Sequence, residues 1–165
     1  MRVSLLIVFL LLSACRQAEP VPPQPAQVLP GFARVSRVID GDTIEVTLHD
    51  NATEKIRFIG IDTPETVDPR QPVECFGKEA SRNMQSLVAG KAVRLDADPA
   101  QERDRYQRLL RYVHVDDQDI GAAMIRDGYA LSYKRYPHPR LEEYNALERS
   151  AREEGRGLWR ACASE

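Results

Sequence analysis

The sequence predicts a mainly β domain with helices, of the α+β class, built as a five-stranded barrel of the OB type carrying three helices. Three observations predict it: three strand-like runs precede any helical period, one helical stretch separates them from two more strand-like runs, and the end of the chain is helical. A parallel sheet would need a helix between every pair of strands, whereas short antiparallel strands with one inserted helix suit a closed or nearly closed barrel. The 165 residues, 42% of them hydrophobic, suffice for one domain with a real core and some additional chain.

FARVSRVIDGDTIEVTLHD, residues 32–50, reads as two strands joined at the turn dipeptide Asp40-Gly41. The second alternates, with Ile44, Val46 and Leu48 on one face and Thr43, Glu45 and Thr47 on the other. After a turn at 51–53, EKIRFIGI supplies a third strand that ends at Asp62, because Pro64 cannot donate to a ladder. Residues 66–75 contain Pro69 and Pro72 and no period, hence a loop. GKEASRNMQSLVAG then places Ala80, Met84, Leu87 and Val88 at helical spacing, predicting a helix over 77–89 that stops at Gly90. KAVRLDAD and RLLRYVHV are the fourth and fifth strands, and the polar PAQERDRYQ between them is long enough for a functional loop. Asp119 caps a short helix in DIGAAMIRDG. Pro139 opens the last helix, with Leu141, Tyr144, Leu147 and Ala151 inward. Its charged residues, Glu142, Glu143, Glu148, Arg149, Arg152, Glu153 and Glu154, form a solvated face of mixed sign.

The first 15 residues, MRVSLLIVFLLLSAC, combine a cationic start, an apolar run and a small-residue site ending in Cys15, the pattern of a secretory signal too short to span a bilayer. Residues 16–30 are rich in proline and glutamine and read as an extended tether, leaving 31–165 as the folded domain. In an oxidising compartment the remaining cysteines, Cys75 and Cys162, favour a disulfide over two separate thiols. That cross-link would restrict the unfolded chain by roughly 4 kcal/mol in the entropy model. A formal charge of −2 means that a polyanionic partner must be held by a local cluster, not by the field of the whole protein.

A hairpin of the second and third strands leaves its register open; the simple register sets the start of one opposite the end of the other and brings Asp42 beside Asp62, two like charges that repel unless a cation or proton sits between them. Carboxylate and carbonyl oxygens suit Ca2+ or Mg2+ over Zn2+, and the Pro64 turn can aim the Thr63 carbonyl at the same point. His49, His114 and His138 have no ligand spacing. Asp40 reads as a turn residue. Arg57 and Arg108 are planar forks suited to phosphate oxygens, and Glu65 can take a proton from water. Strict alternation puts Arg57 and Asp62 on opposite faces of one strand, so a bulge or bend at Gly60 is required to unite them.

IDGDT at 39–43, RFIGIDTPET at 57–66, FGKEA at 76–80, DRYQR at 104–108 and GLW at 157–159 resemble, in order and spacing, the staphylococcal nuclease (thermonuclease) family. The resemblance implies a staphylococcal-nuclease-like OB barrel and Ca2+-dependent endonuclease action on DNA and RNA, leaving 5′-hydroxyl and 3′-phosphate ends. It implies Asp42 and Asp62 as side-chain ligands of Ca2+, Thr63 as a carbonyl ligand, Glu65 as general base or water-orienting group, and Arg57 and Arg108 as phosphate-binding arginines. Tyr136 falls at a tyrosine of the family's nucleotide pocket, and Lys134 replaces another. The family has glycine on both sides of the second arginine, where this chain has Gln107 and Leu109. Tyr129 and Tyr133 read as core or rim.

LSAC at 12–15 is similar to a bacterial lipobox, implying a lipid on Cys15. Arg16 after it points to the periplasmic face of the outer membrane; plain secretion is the alternative. Expected partners are DNA and RNA and, through the lipid, a membrane, with a monomer as the default. The competing readings are a non-catalytic OB-type domain that binds nucleic acid and a structural envelope lipoprotein. Retention of Asp42, Asp62, Glu65, Arg57 and Arg108 speaks against the former.

Overall fold

The computed structural model describes residue 29 and residues 31–66, 69–70 and 72–163. The expected signal segment with Cys15 lies outside them, as does the expected tether apart from Leu29.

Strand β1 (Phe32–Asp40) turns through Gly41 and Asp42 into β2 (Thr43–Thr47), which pairs antiparallel with β3 (Thr53–Phe58). The turn is tight: a Cβ on Gly41 would lie 2.7 Å from Thr63 Oγ1, so only glycine fits. Helix α1 (Gly77–Val88) is followed by β5 (Ala92–Ala97) and β6 (Leu109–Val115), which pair antiparallel, while β5 also pairs with the start of β1. The ring closes when β6 meets β3 in parallel, Ile56 beside Leu109 and Phe58 beside Arg111. Five strands form a closed barrel, as expected, and its one parallel seam is the pairing that local patterns do not reveal.

The expected third strand is interrupted. After Phe58 the chain turns at Ile59 and Gly60, and a separate two-residue strand β4 (Ile61–Asp62) follows, paired with a later strand β8 (Leu131–Ser132). Between them lie β7 (Gln118–Asp119) and α2 (Ile120–Arg126), whose first turn is capped by the Asp119 carboxylate accepting from Ala122 N at 3.1 Å. Helix α3 (Leu141–Glu153) and a short α4 (Leu158–Ala161), a fourth helix beyond the three expected, complete the domain.

The alternating faces of β2 and β3 bury Ile44, Val46 and Ile56 in the barrel, and α1 adds Ala80, Met84 and Val88 at four-residue spacing. Helices α2 and α3 contribute Met124, Ile125 and Tyr144 to the same core. One residue of the expected solvated face behaves otherwise. Glu148 is buried with its carboxylate on Lys134 Nζ, because α3 turns this position toward the β8 segment. Cys75 and Cys162 are joined as expected, with Cα atoms 6.0 Å apart, pinning the end of α4 to the turn before α1. Among the described residues no helix is long and apolar enough to cross a membrane.

Candidate active site

The β2–β3 register sets Thr43 opposite Arg57, and Phe58 N donates to the Asp42 carbonyl at 3.0 Å. The chain then bends. Gly60 adopts φ +76°, and a Cβ there would sit 2.4 Å from the His138 ring, so the bend needs glycine on both conformational and steric grounds. The bend reverses the phase of the strand. Asp62 Oδ1 comes within 3.0 Å of Arg57 Nη2, and the same nitrogen lies 3.3 Å from Asp42 Oδ2. Arg57 Nη1 donates to the carbonyls of Phe58 at 3.0 Å and Ile61 at 2.8 Å, which fixes the guanidinium at the turn. The opposite-faces problem of the sequence is solved where the motif allows it, at Gly60.

One guanidinium between two aspartates leaves negative charge in excess. Burial, and then the charges of Asp42, Glu74 and Glu65, hold the Asp62 carboxyl above the usual carboxylate range despite Arg57. Burial likewise raises Asp40, against hydrogen bonds from the Thr66 hydroxyl at 2.6 Å and Gly41 N at 2.8 Å, with Asp42 and Glu65 adding repulsion. Asp40 thus serves the turn. Thr63 N donates to Asp42 Oδ2 at 3.3 Å, while its buried Oγ1 has no hydrogen-bond partner among the described residues. An all-oxygen donor set with surplus negative charge fits a hard dication. Among the described residues no three His, Cys, Asp or Glu side chains converge on one point.

Arg108 reaches the same place by another route. Asp104, four residues earlier, accepts from Arg108 Nε at 2.7 Å and from its backbone N at 3.0 Å. Burial opposes the Asp104 charge, but these bonds from Arg108 hold its carboxyl below the ordinary range. Arg108 Nη1 donates to Thr43 Oγ1 at 3.2 Å, and that hydroxyl donates to Asp42 Oδ1 at 2.8 Å. Gln107 adopts φ +65°, so the backbone takes the glycine-like conformation without a glycine, at about 1–2 kcal/mol of strain. Leu109 is buried as the first residue of β6.

Arg57 and Arg108 line a cleft of about 580 Å3 whose walls include Tyr106, Tyr133, Tyr136 and His138. The Arg108 guanidinium lies 5.4 Å from the Tyr106 ring centre and that of Arg57 lies 5.9 Å from Tyr133. Glu65 follows Pro64, and its Oε1 accepts from Thr66 N at 2.9 Å. Its charge is close enough to Asp62 and Asp40 to act on both.

Residues 55–161, more than half of the chain, match the family described as staphylococcal nuclease homologue. The chain belongs to that family. It is 37% identical over 127 residues to the thermonuclease of Staphylococcus hyicus, covering 76% of this chain and 74% of that protein. It is 33% identical over 156 residues to an uncharacterized endonuclease of Haemophilus influenzae, covering 94% and 75%. It is also 34% identical over 127 residues to the SPbeta prophage-derived endonuclease YokF of Bacillus subtilis, covering 76% of this chain but only 43% of YokF. The chain therefore spans less than half the length of that last relative.

Within this staphylococcal nuclease homologue, Asp42, Asp62, Arg57 and Arg108 come together, with Thr63 and Glu65 on the adjoining turn. Tyr136 lines the cleft. Lys134 does not: it is turned onto Glu148, and Tyr133 presents the aromatic face instead. Lys134 lies in the turn that follows β8, and its ion pair with the buried Glu148 of α3 holds it away from the cleft that Tyr133, Arg135 and Tyr136 line. Thr43, Asp104, Tyr106 and His138 are the members that sequence reasoning missed. Asp104 was findable in DRYQR, because an acid four residues before an arginine is a pairing signal; Thr43 and His138 carry no such mark.

Proposed function

We propose that this protein is an exported, membrane-tethered endonuclease that hydrolyses phosphodiester bonds of DNA and RNA with Ca2+, leaving 5′-hydroxyl and 3′-phosphate ends. The observation that carries the reading is the convergence of two arginines on Asp42, Arg57 by direct ion pair and Arg108 through the Thr43 hydroxyl. Asp42, Asp62 and the Thr63 carbonyl would hold the cation. When bound, Ca2+ supplies positive charge against the phosphate and polarises water at the site.

Arg57 and Arg108 donate to the non-bridging phosphate oxygens, where charge grows as the bond breaks. Arg57 can turn to phosphate once Asp42 and Asp62 are otherwise neutralised. Glu65 orients the attacking water and accepts its proton as the water oxygen bonds to phosphorus and the bond from phosphorus to the 5′ oxygen breaks, and the departing 5′ oxygen takes a proton from solvent to leave as the hydroxyl. Tyr106, Tyr133 and Tyr136 offer ring faces on which bases stack without regard to sequence. Tethering rests on LSAC, with a lipid on Cys15 placing the domain at the periplasmic face of the outer membrane.

Digestion of single-stranded DNA with Ca2+ or with a chelator, by wild type and Glu65→Ala, tests the nuclease reading. We expect cleavage only with Ca2+ and wild type; chelator-resistant cleavage or a fully active variant refutes it. Palmitate labelling that survives Cys15→Ala refutes the anchor.

A further inference from the structure

We propose that residues Glu74–Gly77, anchored by the Cys75–Cys162 disulfide, form a seat that positions Glu65, with Glu74 as its positioning residue. This inference rests on the nuclease reading for its catalytic consequence, though not for its geometry.

The contacts are reciprocal. Glu65 N donates to Glu74 Oε2 at 2.9 Å, and Glu74 N donates back to the Glu65 carbonyl at 3.0 Å. Three residues on, Gly77 begins α1 so close to the same segment that a Cβ would lie 2.6 Å from Thr66 Cγ2 and 3.0 Å from the Pro64 carbonyl oxygen. The backbone of 64–66 is therefore tied on one side by Glu74 and packed on the other against the start of a helix. Phe76, at φ +67°, stacks on Tyr129 at 5.4 Å and accepts from Ala80 N at 3.0 Å, joining the seat to α1 and to the segment after α2.

Hydrogen bonds at an exposed carboxylate do not hold a loop unless their own base is fixed. Cys75 supplies that fixation. Its disulfide runs to Cys162 at the end of α4, and α4 is itself held by Leu158 N donating to the Gly128 carbonyl at 2.9 Å. A general base must be kept within a fraction of an ångström of its productive position, and displacement by about 1 Å can reduce rate by about a hundredfold. The seat does this for Glu65 through its backbone.

Two variants separate this role from charge. Glu74→Ala removes both the acceptor and the negative charge that raises Asp62, whereas Glu74→Gln removes the charge but keeps an oxygen to accept Glu65 N–H. Using the full chain, Ca2+ and single-stranded DNA, we expect Glu74→Ala to lower kcat about tenfold with KM changed less than about twofold, and Glu74→Gln to restore most of it. We expect Cys75→Ser with Cys162→Ser to lower kcat by about threefold or more. Amide hydrogen exchange over 63–66, measured on the same proteins, should quicken in Glu74→Ala and in the double variant. Unchanged exchange in both, quickened exchange with unchanged kcat, or a Gln variant as poor as the Ala variant would each overturn the seat. If the double variant does not fold, the Glu74 pair decides alone. If wild type cleaves no DNA, the nuclease reading fails by itself, and the exchange data still decide whether the seat exists.

Discussion

Arg57 and Arg140 each stand against aspartate and beside an aromatic ring, but their surroundings differ. Arg140 pairs with Asp119 and lies 4.6 Å from the Tyr112 ring centre. Asp119 also accepts from the Tyr144 hydroxyl at 2.8 Å and from Ala122 N at 3.1 Å, so one cation meets one anion that carries two further hydrogen bonds. Burial works against the Arg140 charge, but Asp119 more than offsets it and holds the guanidinium above its ordinary range. Arg57 meets two aspartates, with Asp40, Glu65 and Glu74 adding further negative field. A balanced buried pair organises a fold; an unbalanced one is a demand for another cation. The same chemical pairing is structural in one region and available for chemistry in the other.

Breaking the two pairs should therefore differ most in kcat per folded molecule. Arg57→Ala should lower kcat by about a thousandfold, the upper end of what one transition-state donor contributes, when measured on the folded variant with Ca2+ present. Asp119→Ala should lower stability by about 3–5 kcal/mol, since it strands a partly buried guanidinium, while kcat per folded molecule stays near wild type. Loss of activity in folded Asp119→Ala would collapse the distinction.

Adding Ca2+ at about a hundred times its Kd should stabilise wild type by about 2.7 kcal/mol, read as a shift in the urea transition. Asp42→Asn should abolish that shift. A calcium effect that persists in this variant would place the cation elsewhere.

Gln107→Gly sharpens the arginine side of the site. It relieves the left-handed strain before Arg108 and should raise stability by about 1 kcal/mol with the fold unchanged. A loss of stability would mean that the Gln107 side chain contributes more than its backbone strain removes.

The smallest expected effect is one of slope, and it concerns the balanced region. His114 and His138 are both held below the ordinary histidine value of 6.5, first by burial; Arg140 adds to this in both, and Arg94 in His114, against Asp96, Asp119 and Asp98. Tyr112 OH meets His138 Nδ1 at 2.9 Å, and the Tyr112 hydroxyl is itself pushed up to about 12, chiefly by burial. Below 6.5 the unfolded chain takes up protons that the folded one refuses. Stability should therefore fall as pH drops through that value and stop falling only below the folded pKa. Urea midpoints measured from about pH 7.5 to about pH 5 should show this, and His114→Gln should flatten the curve. An unchanged slope in that variant would remove His114 from the account.

The legible parts of this protein were those whose cause is local. Alternation marked β2 and the buried face of α1, Asp119 announced its cap, Gly41 its turn, and the Asp62-Thr63-Pro64-Glu65 run its chemistry. A simple hairpin register suggested that Asp42 and Asp62 meet, but that register sets Thr43 opposite Arg57 and Asp42 beside Phe58; Asp62 joins them only through Arg57, after the bend at Gly60. Lys134 shows the limit: its place in the sequence suggested the cleft, but which side of the chain faces the cleft depends on β8 pairing with β4, residues about seventy apart in the chain.

The sequence by itself determined the order of the five barrel strands and of three helices, the family motifs, and the need for a bend at Gly60. Only the tertiary structure decided that the barrel closes through a parallel β3–β6 seam, and that Arg57 reaches Asp62 around that bend. It alone decided that Thr43 carries Arg108 to Asp42, that Glu148 draws Lys134 away, and that Glu74 ties down Glu65. The physical reason is the same in each case. These contacts join residues far apart in the chain or across a turn, and barrel curvature and packing, not local propensity, set the few ångströms on which they depend.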